Sequence, residues 1–175
     1  MAFGYTGAFS ATARGLVPAT TFSHAVNTSD FICDSVVVPA GTTYARFQLF
    51  DANTSPAGDI DLFVFIGGTL VGQSTGGTSE EVVNLLNPTP ATYDACLDGF
   101  ATANPSNTTL FTWVLGSTAA GNMTVSAPAS ATIGTIGNIN LTFSGLTPGT
   151  KYLGSVAYIG VAGLPNPTIV RVDVP

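Results

Sequence analysis

The residue pattern predicts an all-β protein: a jelly-roll or β-sandwich unit over residues 1–120, then a smaller sandwich unit over 121–175 that N-terminal strands are placed to complete. Three observations carry this. Apolar and polar residues alternate with a period of two in run after run; no window sustains the i, i+3, i+4, i+7 spacing of a helix; and turn-forming residues interrupt the chain every eight to twelve positions.

From the N-terminus, "MAFGYTGAFS" has neither a basic leader nor an apolar signal core, and it reads either as a chain whose signal was removed or, the favoured reading, as a module from a longer chain. "YARFQLF" sets Tyr44, Arg46, Gln48 and Phe50 opposite Ala45, Phe47 and Leu49, as a strand does. "IDLFVFI" is a richer apolar run. "TYDACLDGF" sends Tyr93, Ala95 and Leu97 to one face and Asp94, Cys96 and Asp98 to the other, the pattern of a half-buried strand. Between the runs lie "TSPAG", "GG", "STGGTS", "NPTPA", "ANPSN" and "TPG", all rich in residues that set turn geometry.

A repeat emerges at a shift of 130 residues. Residues 3–26 lie over 133–156 without a gap and share Gly4/Gly134, Gly7/Gly137, Thr12/Thr142, Gly15/Gly145, Leu16/Leu146, Pro18/Pro148, Thr20/Thr150 and Val26/Val156. The register suggests duplication. In the second copy, "GLTPGTKYLGSVAY" places Leu146 inward, turns at Pro148-Gly149 and starts the next strand near Tyr152. That arrangement resembles the tyrosine corner of fibronectin type III sandwiches, and the resemblance implies a fibronectin type III-like unit over 121–175.

Composition narrows the function. Only 8% of residues are charged, and the net charge of −6 opposes binding to nucleic acid or to anionic membrane surfaces. No apolar run reaches the roughly 18 residues of a membrane helix. Cys33 and Cys96 are a disulfide or two buried thiols, and a bridge closing so long a loop is worth roughly 4 kcal/mol. They are not a zinc site, since the only histidine is His24, read as a partly exposed strand residue.

The stretch "DANTSPAGDIDL" gathers Asp51, Asn53, Asp59 and Asp61. Asp59 and Asp61 share a face of their strand, but catalysis finds neither a nucleophile motif nor a supporting base. An EF-hand is excluded, because Pro56 stands where the loop needs glycine and Leu62 where it needs a bidentate glutamate. A structural calcium site in a sandwich loop and a solvated turn both remain open.

"GDIDLFVF", the Gly-rich turn after it, Glu80-Glu81 and then "PATYDACLDGF" resemble the bacterial pre-peptidase C-terminal type of domain. The flanking blocks, among them "VPAGTTYARFQLFDA", "LFTWVLG" and "GLTPGTKYLGSVAYIGVAGLPNPTIVRVD", are similar to the C-terminal extension of secreted bacterial subtilisin-like serine peptidases. That resemblance implies a secreted or cell-surface accessory region without catalytic residues of its own. Its partners would be the cognate peptidase domain or a polymeric extracellular substrate. Tyr5, Tyr44, Trp113, Tyr152 and Tyr158 are the aromatic residues considered for a binding surface. The alternative is a self-assembling surface or fibre subunit, because Lys151 is the only lysine available to block a strand edge.

Overall fold

The computed structural model describes residues 1–161, 164 and 166–175. The strands are β1 (Gly7–Ala8), β2 (Ser10–Pro18), β3 (Thr20–Val26), β4 (Phe31–Val38), β5 (Tyr44–Gln48), β6 (Asp59–Ile66), β7 (Thr69–Ser74) and β8 (Val82–Leu86). They continue as β9 (Ala91–Ala101), β10 (Ser106–Leu115), β11 (Met123–Ser126), β12 (Ser130–Ala131), β13 (Asn140–Phe143), β14 (Lys151–Ile159) and β15 (Thr168–Asp173). Among the described residues the one helical element is a 3₁₀ turn at Asp51–Asn53, and no helix is long and apolar enough to cross a membrane. The chain is all-β, as its alternation predicts.

Two units divide it: Ala19–Val114, and Met1–Pro18 with Leu115–Pro175. In the first, pairings nest. β3 pairs with β10, β4 with β9, β5 with β8 and β6 with β7, all antiparallel. The resulting sheets run β3-β10-β5-β8 and β4-β9-β6-β7, the strand order of an eight-stranded jelly roll. Inward residues from both sheets make its core, including Phe47, Leu49, Leu62, Val64, Tyr93 and Leu97. At the β6–β7 hairpin the chain reverses through Gly67 and Gly68 at φ +54° and +81°, a turn that requires left-handed backbone twice and matches the twist of the strands.

The second unit holds a β15-β14-β2 sheet and the pairs β11-β13 and β1-β12. Leu16, Met123 and Tyr152 pack with Leu146 and Val172 in one cluster; Phe3, Phe9 and Ala131 form another. This moves the boundary expected at residue 120. Residues 1–18 group with the C-terminal part because β14 offers β2 a full ladder, from Tyr152↔Pro18 to Ile159↔Ser10. The repeat is not a structural duplication either. Residues 10–18 are one nine-residue strand, whereas their counterparts supply a four-residue strand and a turn.

Each unit contains a tyrosine whose hydroxyl ties a corner. The backbone N–H of Thr147 donates to Tyr152 Oη at 3.1 Å, across a turn with Gly149 at φ +74°. Hydrogen bonds from Thr147, first from its side chain and then from its backbone, hold the Tyr152 phenol below its ordinary pKa. In the jelly roll Tyr93 Oη donates to the Thr89 carbonyl at 2.8 Å, and burial pushes its phenol up.

Candidate functional site

Strand alternation puts every second residue of β4, β9 and β6 on the outer face of one jelly-roll sheet, and the register aligns them in three ranks. Phe31, Asp98 and Asp61 form the first; Cys33, Cys96 and Phe63 the second; Ser35, Asp94 and Phe65 the third. Cys33 and Cys96 are bridged at the centre of this grid, linking edge strand β4 to interior strand β9.

Three phenylalanines surround the bridge. Ring centroids are 6.1 Å apart for Phe31 and Phe63, 6.3 Å for Phe31 and Phe65, and 6.5 Å for Phe63 and Phe65. Phe31 is 54% exposed, so its ring stands in solvent rather than in a core. Beside the bridge, Phe31, Cys33, Phe65, Gly68, Asp94 and Cys96 line an open cleft of about 300 Å³. The Ser35 hydroxyl donates to Asp94 Oδ1 at 2.8 Å, which fixes the carboxylate at the cleft wall.

The carboxylates proposed for calcium are placed differently from that expectation. Asp51 and Asn53 lie exposed on the 3₁₀ turn, where the Asp51 N–H donates to Glu80 Oε2 at 3.1 Å. Asp59 opens β6 and Asp61 follows, 8% exposed. Desolvation by burial raises the Asp61 pKa above its ordinary range, and the negative charges of Asp59, Glu81 and Asp98 push it further. Asp51, on the 3₁₀ turn before β6, is not among these charges. Oδ1 of Asp59 and Oδ1 of Asp61 are buried without a hydrogen-bond partner among the described residues. Nor do three His, Cys, Asp or Glu side chains among those residues converge as metal ligands. What the arrangement supplies is a field of negative charge at one end of the aromatic face.

His24, on β3, holds Asp34 of β4 at 2.7 Å, joining the two sheets at their margin. The Ser23 hydroxyl beside it is engaged by Thr109 Oγ1 at 3.2 Å rather than by the imidazole. Of the tyrosines and tryptophan considered for binding, Trp113, Tyr44 and Tyr152 are buried, while Tyr158 stacks on Phe9 and bonds Thr168. Tyr5 is half-buried, its hydroxyl donating to the Ala8 carbonyl. Phe100 and Phe143 are exposed elsewhere in the chain, and a clustered aromatic face is made instead by exposed Phe31 with the partly exposed Phe63 and Phe65. Their common face could have been read from the parity of "FICDS" and "DIDLFVF", but nothing in the sequence aligns one with the other. No protein-family model matches the chain, and no curated protein matches it.

Proposed function

We propose that the chain is a noncatalytic accessory β-sandwich region of a secreted subtilisin-like serine peptidase, which stabilises the enzyme or helps it engage polymeric extracellular substrate. The observation that carries this reading is the jelly-roll face on which a disulfide braces three partly exposed phenylalanines. A rigid apolar surface of this kind suits adhesion to a polymer, since pre-ordered rings lose little freedom on binding. The bridge suits an oxidising compartment. The residue blocks that resemble the pre-peptidase C-terminal type of domain fall in one uninterrupted stretch of the jelly roll, β6 to β9.

The test is to fuse the chain behind a subtilisin-like catalytic domain and compare hydrolysis of insoluble protein with hydrolysis of a small soluble peptide. Faster attack on the insoluble substrate alone is expected. Equal rates on both, with and without the chain, would reject the reading. The isolated chain is expected to cleave neither peptides nor glycosides, and an activity abolished by a single point substitution would overturn the noncatalytic role.

Self-assembly as a surface or fibre subunit is the second reading, and a specific observation favours it. Edge strands β3, β4, β7 and β8 carry no lysine, and Val37, Leu70, Val71, Val82 and Leu86 are exposed on three of them. Light scattering that rises with protein concentration would support assembly, and a concentration-independent monomer would remove it.

A further inference from the structure

We propose that the cleft beside the Cys33–Cys96 bridge is a recognition pocket for an arginine side chain presented by an extended polypeptide. The proposal deepens the accessory-module reading by naming what its adhesive face selects. The walls of the cleft are the rings of Phe31 and Phe65, its lining includes both sulfurs' residues and Gly68, and Asp94 stands among them. Apolar walls with one carboxylate match a side chain that is apolar along its stem and cationic at its tip. Arginine meets the site better than lysine, because a planar guanidinium stacks on an aromatic face while donating in the plane to a carboxylate.

Three further features support a cationic occupant. The Ser35 hydroxyl donates to Asp94 Oδ1, orienting the carboxylate. Asp98 and Asp61 occupy the opposite corner of the same face, so the field across it is negative. The whole chain bears −6, which draws basic partners from a distance. Gly68 keeps the rim low: a Cβ built there meets nothing within 4 Å, so the approach is open. A neutral polysaccharide would stack on the rings and donate a hydroxyl to Asp94, but it brings no cation to the negative field, and it is therefore the weaker match.

The experiment titrates the full chain with an alternating arginine–alanine decapeptide, its citrulline counterpart and a neutral oligosaccharide, followed by amide NMR shifts and calorimetry. Citrulline keeps the shape of arginine and removes its charge. The arginine peptide is expected to bind saturably with shifts at Gly68, Asp94 and Cys96. The citrulline peptide and the Asp94→Asn variant should each bind about tenfold more weakly, as loss of a charge-assisted hydrogen bond implies. Phe65→Ala should weaken binding on the order of fivefold. Added salt should lower the affinity of the arginine peptide and leave that of the citrulline peptide unchanged.

Equal binding of the two peptides, an unchanged affinity in Asp94→Asn, or binding of the oligosaccharide alone would overturn the proposal. Asp94→Asn keeps an amide oxygen for Ser35 but weakens that bond, so Phe65→Ala and the citrulline peptide provide tests that leave it untouched. A chain that ignores the arginine peptide yet accelerates attack on insoluble protein would lose this pocket and keep its accessory role.

Discussion

Removing the Cys33–Cys96 bridge is expected to cost roughly 4 kcal/mol while leaving the fold in place. The bridged residues are 63 positions apart, and the chain-entropy relation for a loop of that length gives roughly 4.3 kcal/mol at room temperature. The folded state does not depend on the bridge for its register. Strands β4 and β9 pair continuously from Phe31↔Asp98 to Val38↔Ala91, and the inward residues Val36, Tyr93, Ala95 and Leu97 keep their burial in the core. The loss therefore falls on the unfolded chain, which gains the freedom that the cross-link denied it. A domain has about 5–15 kcal/mol in all, so the variant should remain folded with a much smaller margin. The variant is Cys33→Ala with Cys96→Ala, and the assay is urea unfolding followed through Trp113, the single tryptophan, 1% exposed. With a slope of about 2 kcal/mol per molar urea, the midpoint should fall by about 2 M, and the slope should steepen as the unlinked chain exposes more surface. A midpoint shift below about 0.5 M with an unchanged slope would refute the entropic reasoning. A variant that does not fold would show that the ladder needs the bridge after all.

Tyr93→Phe should destabilise by about 1 kcal/mol, the typical net worth of its bond to the Thr89 carbonyl; Tyr158→Phe, whose hydroxyl lies at the surface, should stay within about 0.5 kcal/mol in the same urea assay. An equal response from the two would deny the corner any special role. Gly99→Ala should cost more than about 1–3 kcal/mol, because a Cβ at that position overlaps the carbonyl oxygen of Asn27, which is backbone and cannot swing aside; a stability equal to wild type would mean that the close approach relaxes freely. Asp61→Asn should stabilise the protein at pH 7. The folded state raises the pKa of Asp61, so protonated Asp61 favours folding: its contribution is fully present below about pH 4 and is lost as pH rises through the folded value. The advantage of asparagine should therefore vanish on acidification, and a variant less stable than wild type in millimolar calcium at pH 7 would instead place a cation on these carboxylates.

The sequence by itself determined the class of fold and the interior of its strands. In "TYDACLDGF" a period of two leaves one arrangement that buries Tyr93, Ala95 and Leu97, and β9 adopts it. The same local chemistry places the hairpin at Gly67-Gly68 and the turn before Tyr152, since only certain residues take the backbone conformations those bends require. Tertiary structure alone decided which strand lies beside which. That N-terminal strands are placed to complete the second unit is legible, but nothing local to residues 10–18 says that β14 will be their partner, and the similarity of residues 3–26 to 133–156 points toward equivalence where the fold has none. The carboxylates illustrate the same limit. Asp51 is near Asp61 in sequence, yet the charges that act on Asp61 include Glu81 and Asp98, brought up by β8 and β9. Phe31 meets Phe65 for the same reason, across strands separated along the chain and joined through β9. Periodicity fixes the face on which a side chain sits, because that depends on its own backbone; register between distant strands is set by the summed burial and hydrogen bonding of the whole sheet, which no single segment encodes.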